Sequence, residues 1–321
     1  MNFLNPSMES LVREDHPYRR ILELVDFDIL TQPLKATYSD QGRGGYPAAT
    51  AFKTLLLQYM EDISDRELER FLQENLAGKL FCGFELTETT PDYSYFCKLR
   101  QRIGTKRLAD MFNQVRDALK AQGVIREIFT FVDASHLVSK MSVWEERDKA
   151  IKAGIDRLNN LTVGKFSADK QARFGCKGKN KYWFGYKRHV AVDMTHGFIT
   201  KSAVTPANLS DNQGFKHVCP NQGMVFGDKA YCLREAQREM KIRGCHSGAI
   251  LKNTMKGKDR DKDRWLTKVR MPYEGVFSKM ERRSRYRGIA KNQFQAFMEA
   301  LSHNLKRLIK IKADPLVLQP V

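Results

Sequence analysis

"FTFVDASH", residues 129–136, is an apolar run that meets an acid. Ile128, Phe129, Phe131 and Val132 read as a buried strand, and Asp133 reads as its end, followed by small Ala134 and Ser135. An Asp there has two readings. It is a turn former, or it is a metal ligand held on a rigid scaffold. The second reading gains weight from "MVFGD", residues 224–228, a second short apolar strand that also ends in an acid, Asp228. If the two strands are neighbours in one sheet, their ends lie about 4.8 Å apart or a small multiple of it. Two carboxylates that close repel unless a cation lies between them, and hard divalent ions suit such an oxygen pair.

The pattern around these strands is mixed. "YWFGYKRHVAVDM" (182–194) alternates Phe184, Tyr186, Arg188, Val190 and Val192 against Gly185, Lys187, His189 and Ala191, which predicts a strand. His196-Gly197 predicts a turn and "FITKSAVT" (198–205) the returning strand, so the two form a hairpin. "CLREAQREMKIRG" predicts a helix closed by Gly244, and "HSGAIL" another strand. "KNTMKGKDRDKDRWLTKVR" (252–270) is charged and poorly periodic and reads as a loop. A helical tract is expected from about Met271 through "YEGVFSKMERRSRYRG", and another in "KNQFQAFMEALSHNLKRLIKI". The end, "ADPLVLQPV", reads as loose.

The first third is different. "YRRILELVDFDIL", "PAATAFKTLLLQYMEDI", "SDRELERFLQENLAGKL", "TPDYSYFCKLRQRIG" and "TKRLADMFNQVRDALKAQG" all read as helices. Pro47 suits a first turn, Ser64 with Glu67 makes a capping box, and Gly123 is a stop signal. The expected organisation is a helical domain over 1–123, a mixed α/β domain over 124–312 and a loose tail over 313–321.

Charge follows the same division. Residues 1–125 hold 16 Lys/Arg and 18 Asp/Glu, a net of 16 − 18 = −2; residues 126–321 hold the other 39 and 19, a net of 39 − 19 = +20. Such asymmetry points to a polyanionic partner, nucleic acid or an acidic membrane surface. No apolar stretch approaches a membrane span, and "MNFLNPSMESLVRED" is neither a signal nor a transit peptide, so a cytosolic, nucleoid-associated protein is expected. Six scattered cysteines without a C-x-x-C pair argue against a zinc finger. Arg282, Arg283, Arg285 and Arg287 crowd around Tyr286 with one acid, Glu281, a composition suited to bidentate phosphate contact and base stacking. Lysines in "CKGKNKYWFGYKRH" (176–189) also suit phosphate, although much of the aromatic set there reads as core. "KGKDRDKDR" (256–264) is half neutralised by its own aspartates. Glu274, in "PYEGVF" beside Arg270, is the candidate third carboxylate; His136 reads as structural.

Several ordered motifs together carry a family resemblance: "GRGGYPAATAFKTLLLQYMEDISDRELERFLQENLAGKLFCGFELTETTPDYSYFCKLRQRIG", "VDASH", "KGKNKYWFGYKRHVAVD", "VTPANLSDNQGF", "FGDKAY" and "RMPYEGVFSKMERRSRYRGIAKN". With these the chain resembles the DDE transposases of bacterial insertion sequences, in particular the insertion-sequence-five group. The resemblance implies a helical N-terminal domain followed by an RNase H-like mixed-sheet catalytic domain. It implies Asp133, Asp228 and Glu274 as catalytic residues that hold two Mg²⁺ (or Mn²⁺) ions. The DNA contacts it suggests, together with the basic pattern, are Lys187, Lys229, Arg270, Lys279, Arg282, Arg283, Arg285, Arg287 and Lys291. The acid spacings are 228 − 133 = 95 and 274 − 228 = 46; the second has no room for a large inserted domain, and the first must hold the hairpin and an excursion over about 138–180.

A related signature reads Tyr, two residues, Arg, three residues, Glu, six residues, Lys. Arg270 and Glu274 match it, but Thr267 stands at the Tyr position and Glu281 at the Lys position, where Lys279 or Arg282 would substitute. Glu281, seven residues or about two helical turns on, lies on roughly the same face and is a rival third acid; Glu274 is preferred because Arg270 precedes it and Phe277 can anchor its turn. The implied partners are element-end inverted repeats and target DNA, with two protomers in a synaptic complex. The rival functions are a metal-dependent nuclease without strand transfer and a non-catalytic DNA-binding repressor.

Overall fold

A computed structural model describes residues 8–38, 45–139, 143–155, 158–178, 181–278, 280–311 and 314–319, with the side chains of 143, 144 and 278 left aside. The start of the "GRGGYP" motif, part of "KGKNK", and Lys279 lie outside the described residues. The chain divides into two compact units, one from Met1–Val124 with Met298–Val321, the other from Ile125–Phe297.

The first unit is helical. Short helices Pro17–Leu24, Phe27–Leu30 and Gln32–Lys35 precede Ala48–Glu61, whose Ala51, Phe52, Leu55, Leu56 and Leu57 are all fully buried. A helix apolar on nearly every side belongs at the centre of its bundle. Asp65–Glu74 starts at the expected capping box, with Ser64 accepting from the Glu67 N–H and Glu67 accepting from the Ser64 N–H. Tyr93–Ala121 is two helices broken at Gly104, whose φ of 65° and ψ of 167° no helix contains. Gly123, at φ +70°, ends the second, as its position suggested.

The C-terminal residues complete this unit. Leu301, Leu305 and Leu308 of the Ile289–Lys310 helix are buried, and Lys306 Nζ donates to the Met60 carbonyl. The described part of the supposedly loose tail is docked: Leu316 N–H donates to the Leu24 carbonyl at 2.7 Å, Gln122 Nε2 donates to the Pro315 carbonyl at 2.6 Å, and Leu316 and Leu318 are buried. Truncation after Ile311 is expected to destabilise the helical unit by about 3 kcal/mol, the order for losing two buried leucines. Urea unfolding of the truncated chain checks this, and an unchanged midpoint would count against the docking.

Among the described residues the second unit holds six strands: β1 Phe129–Val138, β2 Arg173–Lys177, β3 Lys181–Asp193, β4 Ile199–Pro206, β5 Met224–Gly227 and β6 His246–Ala249. β3 lies antiparallel to β1 on one edge; its other edge is shared by β2, along residues 181–185, and β4, along 186–192. β5 and β6 continue beyond β1 in parallel. This is the RNase H-like mixed sheet. Both faces are covered, which is why β3 is buried on alternate residues of either parity. One face carries the Arg260–Ser278 helix, with Phe277 5.5 Å from Phe131 and Trp265 6.4 Å from Phe226, ring to ring. The start of the Ile289–Lys310 helix lies on the same sheet, where Gln293 bonds the backbone of Ser202 and Val204. The other face packs Val132, Ala191 and Val225 with Ala236 and Met240 of the Arg234–Ile242 helix.

Four expectations change. β1 does not stop at Asp133 but runs to Val138, because β3 pairs with it throughout. The helix expected from Met271 begins at Arg260, started by Asp259, which accepts from the N–H groups of Asp261 and Lys262. The same helix ends at Ser278, so "ERRSRYRG" is not helical: Val138 N–H donates to the Arg282 carbonyl at 2.8 Å and Ser284 N–H to the Val138 carbonyl at 2.7 Å. The excursion between β1 and β3 contains a helix, Val143–Lys152, and β2, a strand the sequence did not suggest. Among the described residues no helix is long and apolar enough to cross a membrane.

Candidate active site

The last aligned pair of the β1–β5 ladder is Phe131 with Phe226. Asp133 stands two residues further along β1, on the same face as Phe131 because strand side chains alternate, and Asp228 directly follows the last residue of β5. β5 ends there, whereas β1 continues and next meets a partner on that edge at Val138, where the Arg282–Ser284 segment arrives. The two carboxylates therefore flank the opening where parallel strands part at their carboxyl ends, a place that favours ligands in α/β folds.

Both are half-buried, and each is oriented by the chain next to it. Asp133 Oδ1 accepts from the Ala134 N–H and Asp228 Oδ1 from the Ala230 N–H, both at 2.8 Å. Withdrawal from water pushes the Asp133 carboxyl up to about 6; the Ala134 N–H opposes this, and the charges of Asp228 and Asp211 add to it. A raised folded pKa means that the folded protein binds its proton more tightly than the unfolded chain. The stability this gives is complete below the usual Asp value and is lost as pH rises through about 6. Asp133→Asn is therefore expected to stabilise the metal-free protein by about 1–3 kcal/mol at pH 8 and by almost nothing near pH 4. Denaturant titrations in EDTA at the two pH values check this; an equal gain at both would refute it.

Glu274 is brought to the same side of the sheet but not into the pair. Its side chain is 52% exposed and accepts from Arg270 Nη2 at 3.2 Å. Arg270 lies over the Phe131 ring, 5.7 Å from its centre, and its Nε and Nη1 are buried with no hydrogen-bond partner among the described residues. Two further buried polar atoms lack partners in the same sense, Ser135 Oγ and Tyr231 Oη. No group of three His, Cys, Asp or Glu side chains that could hold a metal ion occurs among the described residues. The donor set nevertheless fits a hard cation with a bound phosphate. Two repelling carboxylates call for positive charge, and orphaned guanidinium and hydroxyl groups call for an oxyanion or water.

Of the expected DNA contacts, Arg282, Arg283, Arg287, Lys229 and Lys291 are exposed, and Arg285 is half-buried. Lys229 Nζ donates to Asn253 at 3.3 Å. Lys187 is mostly covered, ion-paired to Asp211 at 2.8 Å and 5.9 Å over the Trp183 ring, which removes it from a simple phosphate-binding surface. Glu281 is not two turns along from Glu274, because the helix has ended. Its carboxylate accepts from the Arg283 N–H at 2.8 Å, and its carbonyl accepts from buried Arg188 at 3.0 Å. His136 is half-buried beside Trp183, and burial followed by the Arg282 charge lowers its pKa.

Asp169 is not among the residues singled out by motif or pattern. Buried to 1% exposure, it accepts from Tyr186 Oη at 2.6 Å and from the Gly288 N–H at 3.2 Å. Through these bonds the excursion holds the arginine-rich segment against β3. The hint lay in "FSADKQA", where Ser-x-Asp and Asp-x-x-Ala spacing allows two local side-chain caps: Ser167 Oγ accepts from the Asp169 N–H, and Asp169 from the Ala172 N–H.

No solved structure matches the chain. Residues 6–102 match the family described as Transposase domain (DUF772), and residues 150–305 match the Transposase DDE domain. The second match contains Asp228 and Glu274 and begins after Asp133. A helical region precedes in sequence a mixed sheet in which Asp228 follows β5 and Asp133 lies on its parallel neighbour β1, and the two matches agree with that order: the chain carries a transposase domain followed by a DDE-type transposase domain.

Proposed function

We propose that this protein is a DNA transposase of the insertion-sequence-five group, which hydrolyses the phosphodiester at element ends and then joins the 3′-hydroxyls to target DNA. The observation that supports this reading is the parallel β1–β5 ladder, whose last pair, Phe131 with Phe226, lies two residues before Asp133 and Asp228, the latter inside the region that matches the Transposase DDE domain. Asp133, Asp228 and Glu274 would hold two Mg²⁺ or Mn²⁺ ions, which supply charge stabilisation to the attacking and leaving oxygens of an in-line displacement. The protein's own contribution is positional. The two strands fix the first two carboxylates, and the helix brings Glu274 alongside them. Arg270, with two unpartnered donors, faces the phosphate, while Arg282, Arg283, Arg285 and Arg287 hold the strand that leads to it. The near-neutral helical unit serves end recognition or dimerisation, and pairing of two ends calls for at least two protomers.

The test uses a labelled duplex taken from DNA that flanks the gene, together with a supercoiled target, with Mg²⁺ or with EDTA. Metal-dependent cleavage followed by joining is expected. Cleavage without joining makes the protein a nuclease. A second reading, the DNA-binding repressor, draws on the exposed Glu274–Arg270 pair, which leaves the third acid away from the other two; binding without any cleavage would establish it.

A further inference from the structure

We propose that the helix over residues 93–103 is the recognition element of the helical unit, its outer face of Ser94, Cys97, Lys98, Gln101 and Arg102 fitting the major groove of double-stranded DNA at an element end. The inference rests on the transposase reading and settles that reading's choice between end recognition and dimerisation on the first. It starts from charge. Residues 93–109 hold five Lys/Arg, at 98, 100, 102, 106 and 107, and no Asp or Glu. The other residues of 1–125 hold 11 Lys/Arg and 18 Asp/Glu, a net of 11 − 18 = −7. A region that is near neutral as a whole thus concentrates positive charge in one short stretch. Arg100 turns inward to Asp65, whereas Lys98, Arg102, Lys106 and Arg107 are exposed.

The helix has two unlike faces. Phe96, Leu99 and Ile103 are buried. Ser94, Cys97, Lys98, Gln101 and Arg102 are all exposed, at the three- and four-residue spacing of a single helix face. The helix is also braced. Asp92 accepts from the N–H groups of Ser94 and Tyr95 at 2.7 and 3.2 Å, and Glu69 from the Tyr93 N–H at 3.2 Å. Arg100 grips Asp65 with both prongs of its guanidinium, at 2.8 and 2.5 Å, and both side chains are mostly covered. A two-pronged pair fixes rotation as well as distance, so the outer face is presented as a set. Gly104, at φ 65° and ψ 167°, ends the stripe after about three turns. Chemistry then chooses the occupant. A second copy of the chain would call for an apolar centre in the patch, and this face offers serine, lysine, glutamine and arginine around one cysteine. The major groove, about 12 Å wide, admits a helix. Lys98 and Arg102 suit its phosphate rims, and the Gln101 amide carries the donor and acceptor that match the edge of adenine.

Gel shifts with the full chain, on the duplex taken from the flanking DNA and on an unrelated duplex of equal length, test this. Gln101→Ala should weaken binding to the end duplex about ten-fold and leave the unrelated duplex unaffected, a split that loss of packing would not produce. Lys98→Gln with Arg102→Gln should weaken binding to both and lower the salt slope by about two. Arg102 lies over the Tyr38 ring, 4.8 Å from its centre, so Lys98→Gln alone, expected to lower the slope by about one, guards against a packing effect there. End-duplex affinity that stays at the wild-type value in all three variants overturns the proposal; if the wild type still prefers the end duplex, the transposase reading outlives it. A wild type that binds both duplexes equally removes end recognition, and the proposal falls with it. Sedimentation supplies the last outcome. A dimer that dissociates in the variants, with its DNA preference intact, makes this face an interface between protomers and overturns the assignment to DNA.

Discussion

Asp228→Asn is expected to lower element-end cleavage by roughly 10³-fold or more, equivalent to about 4 kcal/mol of transition-state stabilisation, with DNA affinity and fold retained. The substitution removes a charge and little else. Asn Oδ1 can still accept from the Ala230 N–H, so the turn after β5 survives. What disappears is one of two carboxylates on adjoining strands, and with it the negative field that favours a divalent cation there. The basic segment is untouched, so the salt dependence of DNA binding should match the wild type. A gel-shift titration at two salt concentrations, next to a cleavage time course, measures both. Near-normal cleavage would remove Asp228 from the mechanism and, with it, the reading of the strand pair.

Glu274→Gln is expected to cost roughly 10²–10³-fold in cleavage, whereas Glu281→Gln should leave it within about two-fold. The helix explains the difference. Arg270, Glu274 and Phe277 are spaced by four and three residues and share one stripe, and Phe277 is seated against Phe131, two residues before Asp133. Glu274 therefore lies on the helix stripe that packs toward the Asp133 end of β1, where it accepts from Arg270. That ion pair is half-exposed and contributes little to stability, so the Glu274→Gln protein should unfold normally. Glu281 instead caps the Arg283 N–H, a duty the glutamine amide oxygen can take over. Lost cleavage in Glu281→Gln with normal cleavage in Glu274→Gln would exchange the two residues.

What could be read from the sequence depended on how local the cause was. The β3–β4 hairpin was legible because alternation along Phe184–Val192 and the turn at Gly197 are local signals, and the capping box at Ser64 is complete within four residues. Asp133 and Asp228 stood out because "FTFV" and "MVFG" are short, largely apolar runs, each with an Asp behind it. The early start of the Arg260–Ser278 helix was hidden. Its first turns carry Asp261, Lys262, Asp263 and Arg264, and Leu266 alone marks the buried side there, Trp265 being exposed. The reverse error at "ERRSRYRG" has a tertiary cause: the segment pairs with Val138 and is clamped by Asp169, neither of which its own residues announce. Lys187 looked like a DNA contact until Asp211, twenty-four residues away, came into bonding distance. The tail was misread because Leu316 and Leu318 sit among prolines and gain their meaning only from Leu24 and the helices around it.

That tail sets an order on biosynthesis. The helical unit draws its core from both ends of the chain, with Met298, Leu301, Leu305 and Leu308 supplied after the whole sheet has been made. As the polypeptide leaves the ribosome, the sheet of Ile125–Phe297 has all of its strands before the helices that precede it have their last wall. A nascent or prematurely ended chain would thus present an open apolar bundle, the kind of surface that chaperones and proteases recognise. Quality control would act on that bundle, and only a chain read through to its last turns would escape it.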